Sequence, residues 1–207
     1  MSPRTDNPVP MSNVEGFLGQ RLDQFLDAIA AETPAPGGGS VAAVVVAMAA
    51  GLVAMAARFS AARWDEAEGL AERADELRRR VAPLAPADAR AYEEVLTAFR
   101  LPRDLAPEVR EDAVANALSH AAEVPLEIAR EASEVAALAA LVADRGNPNL
   151  RGDAVTAALL AAAGARAAAN LVEINLWARA DDPRRERARE HVTGAEGAAR
   201  QAQDVGP

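Results

Sequence analysis

The chain has 207 residues, of which 50% are apolar and only 3% aromatic, with a formal net charge of −9. That length supports one substantial core and requires no second domain. The acidic balance, without a Lys/Arg stripe, excludes a nucleic-acid surface, because neutralising phosphates needs a basic face.

The polar, Pro-rich residues 1–11 read as a disordered leader without the apolar core of a signal peptide, which points to a cytoplasmic protein. Residues 12–204 read as one helical domain. Ser12 and Glu15 have the spacing of a capping box, and Val14, Phe17, Leu18, Leu22, Phe25, Leu26 and Ile29 follow at helical intervals, predicting a first helix from Ser12. Residues 34–39, Pro-Ala-Pro-Gly-Gly-Gly, break it, and Ser40 stands as the cap of an uninterrupted apolar run over 41–57. Those 17 residues, mostly Ala and Val, fall short of the about 20 strongly apolar residues a bilayer requires, so no membrane span is expected. A helix apolar on every side belongs at the centre of a bundle.

Helical character resumes over 65–81, loosens at Pro83 and Pro86, and continues to Phe99 before a loop at 101–107. The next segment starts at Pro107 and runs to about Ala143 with a kink near Pro125. A loop at 144–152 holds Gly146-Asn147-Pro148-Asn149, a second Ala-rich helix covers 153–179, and a charged terminal helix covers 184–203. The sum is an all-α, alanine-rich bundle of about six helices. The small apolar surface on the two Ala-rich helices exceeds what one such layer hides, so a homodimer is expected.

The absence of cysteine removes disulfides and thiolate metal sites, and with only His120 and His191 no histidine zinc site, and no metal, is expected. Lysine is also absent, so proton transfer falls to carboxylates, histidine or the lone Tyr92, since arginine stays charged. Three consecutive glycines, Gly37, Gly38 and Gly39, before Ser40 expose backbone N–H groups at the positive end of a long helix, as an anion cradle would; the alternative is a tight turn between helices. Asp88 shares a helix face with Leu84, Tyr92, Val95 and Phe99, which points its carboxylate inward and raises its proton affinity; the alternative is a first-turn carboxylate beside Pro86. Asp153 opens the second Ala-rich helix, where capping is the plainer role. Arg166, Asn170, Glu173 and Trp177 read as a solvated stripe, with Asn175 on another face.

Phe25-Leu26-Asp27 followed by residues 33–43, Thr-Pro-Ala-Pro-Gly-Gly-Gly-Ser-Val-Ala-Ala, resembles the cyclodeaminase/cyclohydrolase family of folate one-carbon enzymes, including the C-terminal domain of formiminotransferase-cyclodeaminase. Asp88-Ala89-Arg90-Ala91-Tyr92, Leu101-Pro102, Val124-Pro125-Leu126, Gly146-Asn147, Asp153 and Ile174-Asn175-Leu176 extend the likeness in the family's order. It implies an all-helical dimer with its active site near the subunit interface and a tetrahydrofolate altered at its N5/N10 bridge, without metal or redox cofactor. It assigns proton transfer to Asp88 and Asp153, and substrate contacts to Gly37, Gly38, Gly39, Ser40, Arg103, Asn147 and Asn175. Pro86, Gly152 and Leu171 depart from the family's pattern. The expected activity is formiminotetrahydrofolate cyclodeaminase, with methenyltetrahydrofolate cyclohydrolase as the near alternative and a non-catalytic folate-binding or structural dimer as the distant one.

Overall fold

Proline and glycine punctuation divides the chain into helices. The computed structural model describes residues 16–204, so the expected leader and the Ser12–Glu15 cap lie outside the described residues. Eight helices follow in order: α1 (Leu22–Ala30), α2 (Gly38–Arg58), α3 (Ala67–Val81), α4 (Leu84–Phe99), α5 (Pro107–Ala121), α6 (Glu123–Arg145), α7 (Arg151–Asn175) and α8 (Pro183–Asp204). No strand occurs among the described residues. The loosening expected at Pro83 is a joint at 82–83 that separates α3 from α4, and the segment expected to run from Pro107 to about Ala143 divides at 122 into α5 and α6. The bend expected at Pro125 falls at Ala122, three residues earlier, because Pro125 sits in the first turn of α6, where its missing N–H leaves no bond unmade.

The first helix also differs from expectation. Among the described residues it starts at Leu22, after a short 3₁₀ turn at Phe17–Gly19 and an extended Gln20. The Arg21 backbone N–H donates to Gln24 Oε1 at 3.1 Å, so the cap comes from Gln24. Phe17 and Phe25 pack at 5.9 Å between ring centroids, against Ala89 of α4.

α2, α6 and α7 form the centre, flanked by α3 and α8, and most of the buried apolar side chains are alanines. Small side chains let backbones approach closely. A Cβ on Gly164 of α7 would lie 2.5 Å from Val46 Cγ2 of α2, so glycine is required at that contact. α2 and α7 run antiparallel: residues 37–39 meet 171–175 at one end, while Ser60 meets Asn147 at the other.

α2 and the stretch Pro148–Asn175 are long and apolar enough to cross a membrane, and both pack against α6 in the bundle. The expectation that α2 is buried on all sides holds for only part of its circumference. Val41, Val45, Met48, Leu52, Met55 and Phe59 are half-buried or exposed, and their spacing alternates between four and three residues. That is the period of a helix seam that pairs with another helix.

Away from this seam, Glu131 of α6 is fully buried. Arg80 of α3 grips it through three hydrogen bonds, Nε to Oε1 at 3.0 Å and to Oε2 at 3.2 Å, and Nη2 to Oε2 at 2.8 Å, and Arg130 also donates to Oε1. The buried carboxylate is thus paired, as burial of a charge demands. At the α7–α8 junction Arg184 donates to Asp182, to the Ser119 hydroxyl and to the Ser119 carbonyl. It holds the Asp182 carboxyl well below the ordinary range and fastens the α5–α6 joint.

Candidate active site

A cavity of about 300 Å³ opens where the N-terminus of α2, the middle of α4, the end of α5 and the C-terminus of α7 converge. This is the lower end of volumes typical of small-ligand sites. The 34–39 loop contributes Pro34, Ala35, Gly37, Gly38 and Gly39. Asp88, Ala89 and Tyr92 come from α4, Ala121 from α5, and Leu171, Ile174 and Asn175 from α7.

Asp88 is the one carboxylate in this lining. Its Oδ2 accepts from the Ser40 backbone N–H at 2.9 Å and lies 3.3 Å from the Ser40 hydroxyl. The close approach depends on Gly39: a Cβ there would fall 1.9 Å from Asp88 Oδ1. Within this chain the anion held at the N-terminus of α2 is the protein's own carboxylate, where the sequence left open an anion cradle or a tight turn between helices. The cause is that an inward Asp88, 48 residues further along the chain, reaches the free amide of Ser40 before any ligand arrives. Burial pushes the Asp88 carboxyl above the ordinary range; the hydrogen bonds from Ser40 oppose the shift without cancelling it.

Ser40 itself is fully buried and does not line the cavity, so its side chain serves Asp88 and α4. Gly37 and Gly38 face the cavity, and a Cβ on Gly38 would meet nothing within 4 Å. Asn175 of α7 also lines the cavity, and its Nδ2 donates to the Ala121 carbonyl at 3.0 Å.

The remaining sequence candidates lie elsewhere in the chain. Arg103 is exposed in the α4–α5 loop. Asn147 fastens the α6–α7 connection onto the end of α2: its N–H donates to Ser60 Oγ at 2.8 Å and its Nδ2 to the Phe59 carbonyl at 3.3 Å, while its Oδ1 accepts from the Asn149 N–H at 3.1 Å. Asp153 occupies the first turn of α7. The 22 residues separating it from Asn175 put it about 33 Å from the cavity along the helix axis. Within one chain, the structure does not bring Asp88 and Asp153 together.

Tyr92, Leu171 and Ile174 line the cavity without having been singled out as site residues. Tyr92 carried a signal, since it lies one turn after Asp88; it and Phe99 are 44% and 56% exposed, so the apolar face of α4 partly opens outward. His120 is exposed, with Nδ1 3.3 Å from Glu94 Oε2, and takes no part in the lining.

The profile of the family described as formiminotransferase-cyclodeaminase matches residues 21–194. The chain is 36% identical over 164 residues to the methenyltetrahydrofolate cyclohydrolase of Methylorubrum extorquens, covering 75% of this chain and 79% of that protein. It is 32% identical over 200 residues to the formimidoyltransferase-cyclodeaminase of Rattus norvegicus, covering 89% of this chain but only 36% of the rat protein. The crystal structure of a formiminotetrahydrofolate cyclodeaminase from Thermotoga maritima superimposes with a TM-score of 0.78 at 30% identity, over 90% of this chain and 95% of that one.

Proposed function

Because the chain belongs to the formiminotransferase-cyclodeaminase family, we propose that it acts on a tetrahydrofolate at the carbon bridging N5 and N10. The observation that carries this reading is Asp88, a half-buried carboxyl with raised proton affinity, seated against Gly39 in a cavity otherwise free of charge. A carboxyl shifted upward is a stronger base than an ordinary carboxylate, which suits it to exchange a proton with substrate.

Hydrolysis of a methenyl bridge is the first reading, supported by the 36% identity to the Methylorubrum cyclohydrolase over 79% of that protein. Water adds to the bridge carbon and gives one proton to Asp88. The protonated Asp88 then returns it to N5 as the carbon–N5 bond breaks, and the new hydroxyl loses its proton to solvent as the formyl group forms. Cyclodeamination is the second reading, supported by the Thermotoga structure. There N10 attacks the carbon of the protonated formimino group, Asp88 takes the N10 proton and passes it to the amino nitrogen, and the carbon–nitrogen bond breaks to release ammonia and leave the methenyl cation. The carbon stays at one oxidation level in both, so neither step calls on a redox cofactor. The glycine amides and Asn175 Oδ1 would orient the ring system, and Arg103, in its exposed loop, would meet a carboxylate of the folate tail.

We further assign Asp153 and Asn147 a part in the site only through a second copy of the chain. The apolar seam of α2 runs from Val41 at the cavity end to Phe59 beside Asn147. A two-fold antiparallel pairing along it would carry the Asp153 end of one protomer to the Asp88 cavity of its partner. The test follows the methenyl chromophore of purified protein supplied with methenyl- or formimino-tetrahydrofolate, with and without ammonia. Decay of the methenyl signal above the uncatalysed rate is expected. Tight folate binding without turnover of either substrate would overturn the enzymatic reading in favour of a binding protein.

A further inference from the structure

Ser40 is fully buried, yet its hydroxyl faces two acceptors and carries one hydrogen. The Ala85 carbonyl lies 2.8 Å from Ser40 Oγ and Asp88 Oδ2 lies 3.3 Å from it. The Ser40 backbone N–H, which cannot turn away, is committed to the same Oδ2 at 2.9 Å. Both contacts from Ser40 thus fall on one oxygen of Asp88, leaving Oδ1 as the oxygen free to exchange a proton with a ligand. We propose that Ser40 is a positioning residue whose hydroxyl turns between Ala85 and Asp88, and so sets the pH at which Asp88 gains or loses its proton. The inference rests on reading Asp88 as the group that exchanges protons with substrate.

The physical argument concerns what changes when Asp88 ionises. A charged carboxylate in a low-dielectric setting draws a hydroxyl donor more strongly than a neutral carbonyl does, so the hydroxyl turns to Oδ2 when the proton leaves Oδ1. When Asp88 is neutral, the shorter contact with Ala85 wins. The ionised form gains a hydrogen bond that the neutral form lacks, and this lowers the proton affinity that burial raises. No fixed charge nearby performs that task. The lining from the 34–39 loop, α2, α5 and α7 is uncharged, and the only other titratable group there is Tyr92, on α4 itself.

Ser40→Ala tests this directly, because it removes the hydroxyl and keeps the backbone donor. The readout is the titration of the Asp88 carboxyl by 13C NMR in protein labelled at aspartate, with the resonance assigned by its absence in Asp88→Asn. The Asp88 midpoint should rise by about one pH unit in Ser40→Ala, and Ser40→Thr, which keeps the hydroxyl, should return it toward the wild-type value. An unmoved midpoint in Ser40→Ala would overturn the proposal and leave Ser40 as a packing residue, as would a shift that Ser40→Thr fails to reduce. The pH profile of kcat/KM, measured beside it, should move with the midpoint. A midpoint that moves while the profile stays fixed would support the control of Asp88 by Ser40 and refute Asp88 as the group that limits turnover.

Discussion

Gly39→Ala is the sharpest single perturbation of this site. The new methyl carbon would stand 1.9 Å from Asp88 Oδ1, 2.3 Å from its Cγ and 2.6 Å from Oδ2. Carrying Oδ1 out to an ordinary contact moves the carboxyl by about 1.5 Å, too far for the 2.9 Å bond from the Ser40 N–H to survive. The fold tolerates the change better than the chemistry. Alanine gains up to about 1 kcal/mol over glycine in a helix, while the lost charge-assisted bond costs about 1.5–3 kcal/mol. A modest fall in Tm is therefore expected, with helical circular dichroism unchanged. A general acid–base group displaced by more than 1 Å loses about 10²-fold or more in kcat. Gly38→Ala is the matched control: it meets no atom within 4 Å in the free protein, so its cost appears in KM if ligand approaches that backbone. The assay is steady-state decay of the methenyl chromophore across pH. If Gly39→Ala keeps kcat within about threefold of wild type and the same pH profile, proton transfer through Asp88 is refuted.

Asp88→Asn should abolish turnover yet leave Tm at pH 7 unchanged or higher. Because folding raises this carboxyl's proton affinity, its favourable contribution is complete below the unfolded-state value and is lost as pH rises through the folded one. The stability difference between wild type and Asp88→Asn, followed by thermal denaturation from pH 4 to 8, should therefore decline with rising pH; an increase would refute the burial argument. Mixing inactive Asp88→Asn with inactive Asp153→Asn, under conditions that exchange subunits, should restore about a quarter of wild-type activity if each site draws one residue from each protomer. No recovery despite proven exchange would place Asp153 outside the reaction. Arg80→Ala should destabilise by about 2–3 kcal/mol in urea titrations, since Glu131 keeps Arg130 but loses its two-pronged partner. A loss under about 0.5 kcal/mol would show that Arg130 alone neutralises the buried carboxylate.

The helices were legible because Pro34, Pro107, Gly146 and Pro183 mark boundaries that local backbone chemistry enforces. The joint at Ala122 was not, since alanine carries no mark of a break and the turn there answers to tertiary packing. Composition correctly placed α2 in the bundle, but it does not distinguish a helix buried all round from one that leaves an apolar strip uncovered. The alternating spacing of Val41, Val45, Met48, Leu52, Met55 and Phe59 was present in the sequence and is unremarkable until the rest of the circumference is known to be covered. Asp88 was readable from the face it shares with Val95. Its pairing with Ser40 was not, because a contact across 48 residues leaves no local trace. Asp153 and Asn147 belong to the same motif set as Asp88, yet motif order carries no distance, and one chain sets Asp153 about 33 Å from Asn175 along α7 while Asn147 is fastened to the far end of α2.

The alanine interior reverses the usual direction of mutational harm. In a core of leucines and phenylalanines damage comes from truncation, which leaves holes. Here positions such as Ala49, Ala57, Ala132, Ala158 and Ala165 are already near the smallest side chain available, and a single added methyl has nowhere to go. Drift through this core is thus confined to exchanges among glycine, alanine and serine, while each valine that arises pushes α2 and α7 apart. Both helices contribute residues to the cavity lining, so the same ratchet that guards the packing also guards the shape of the site against slow accumulation of bulk.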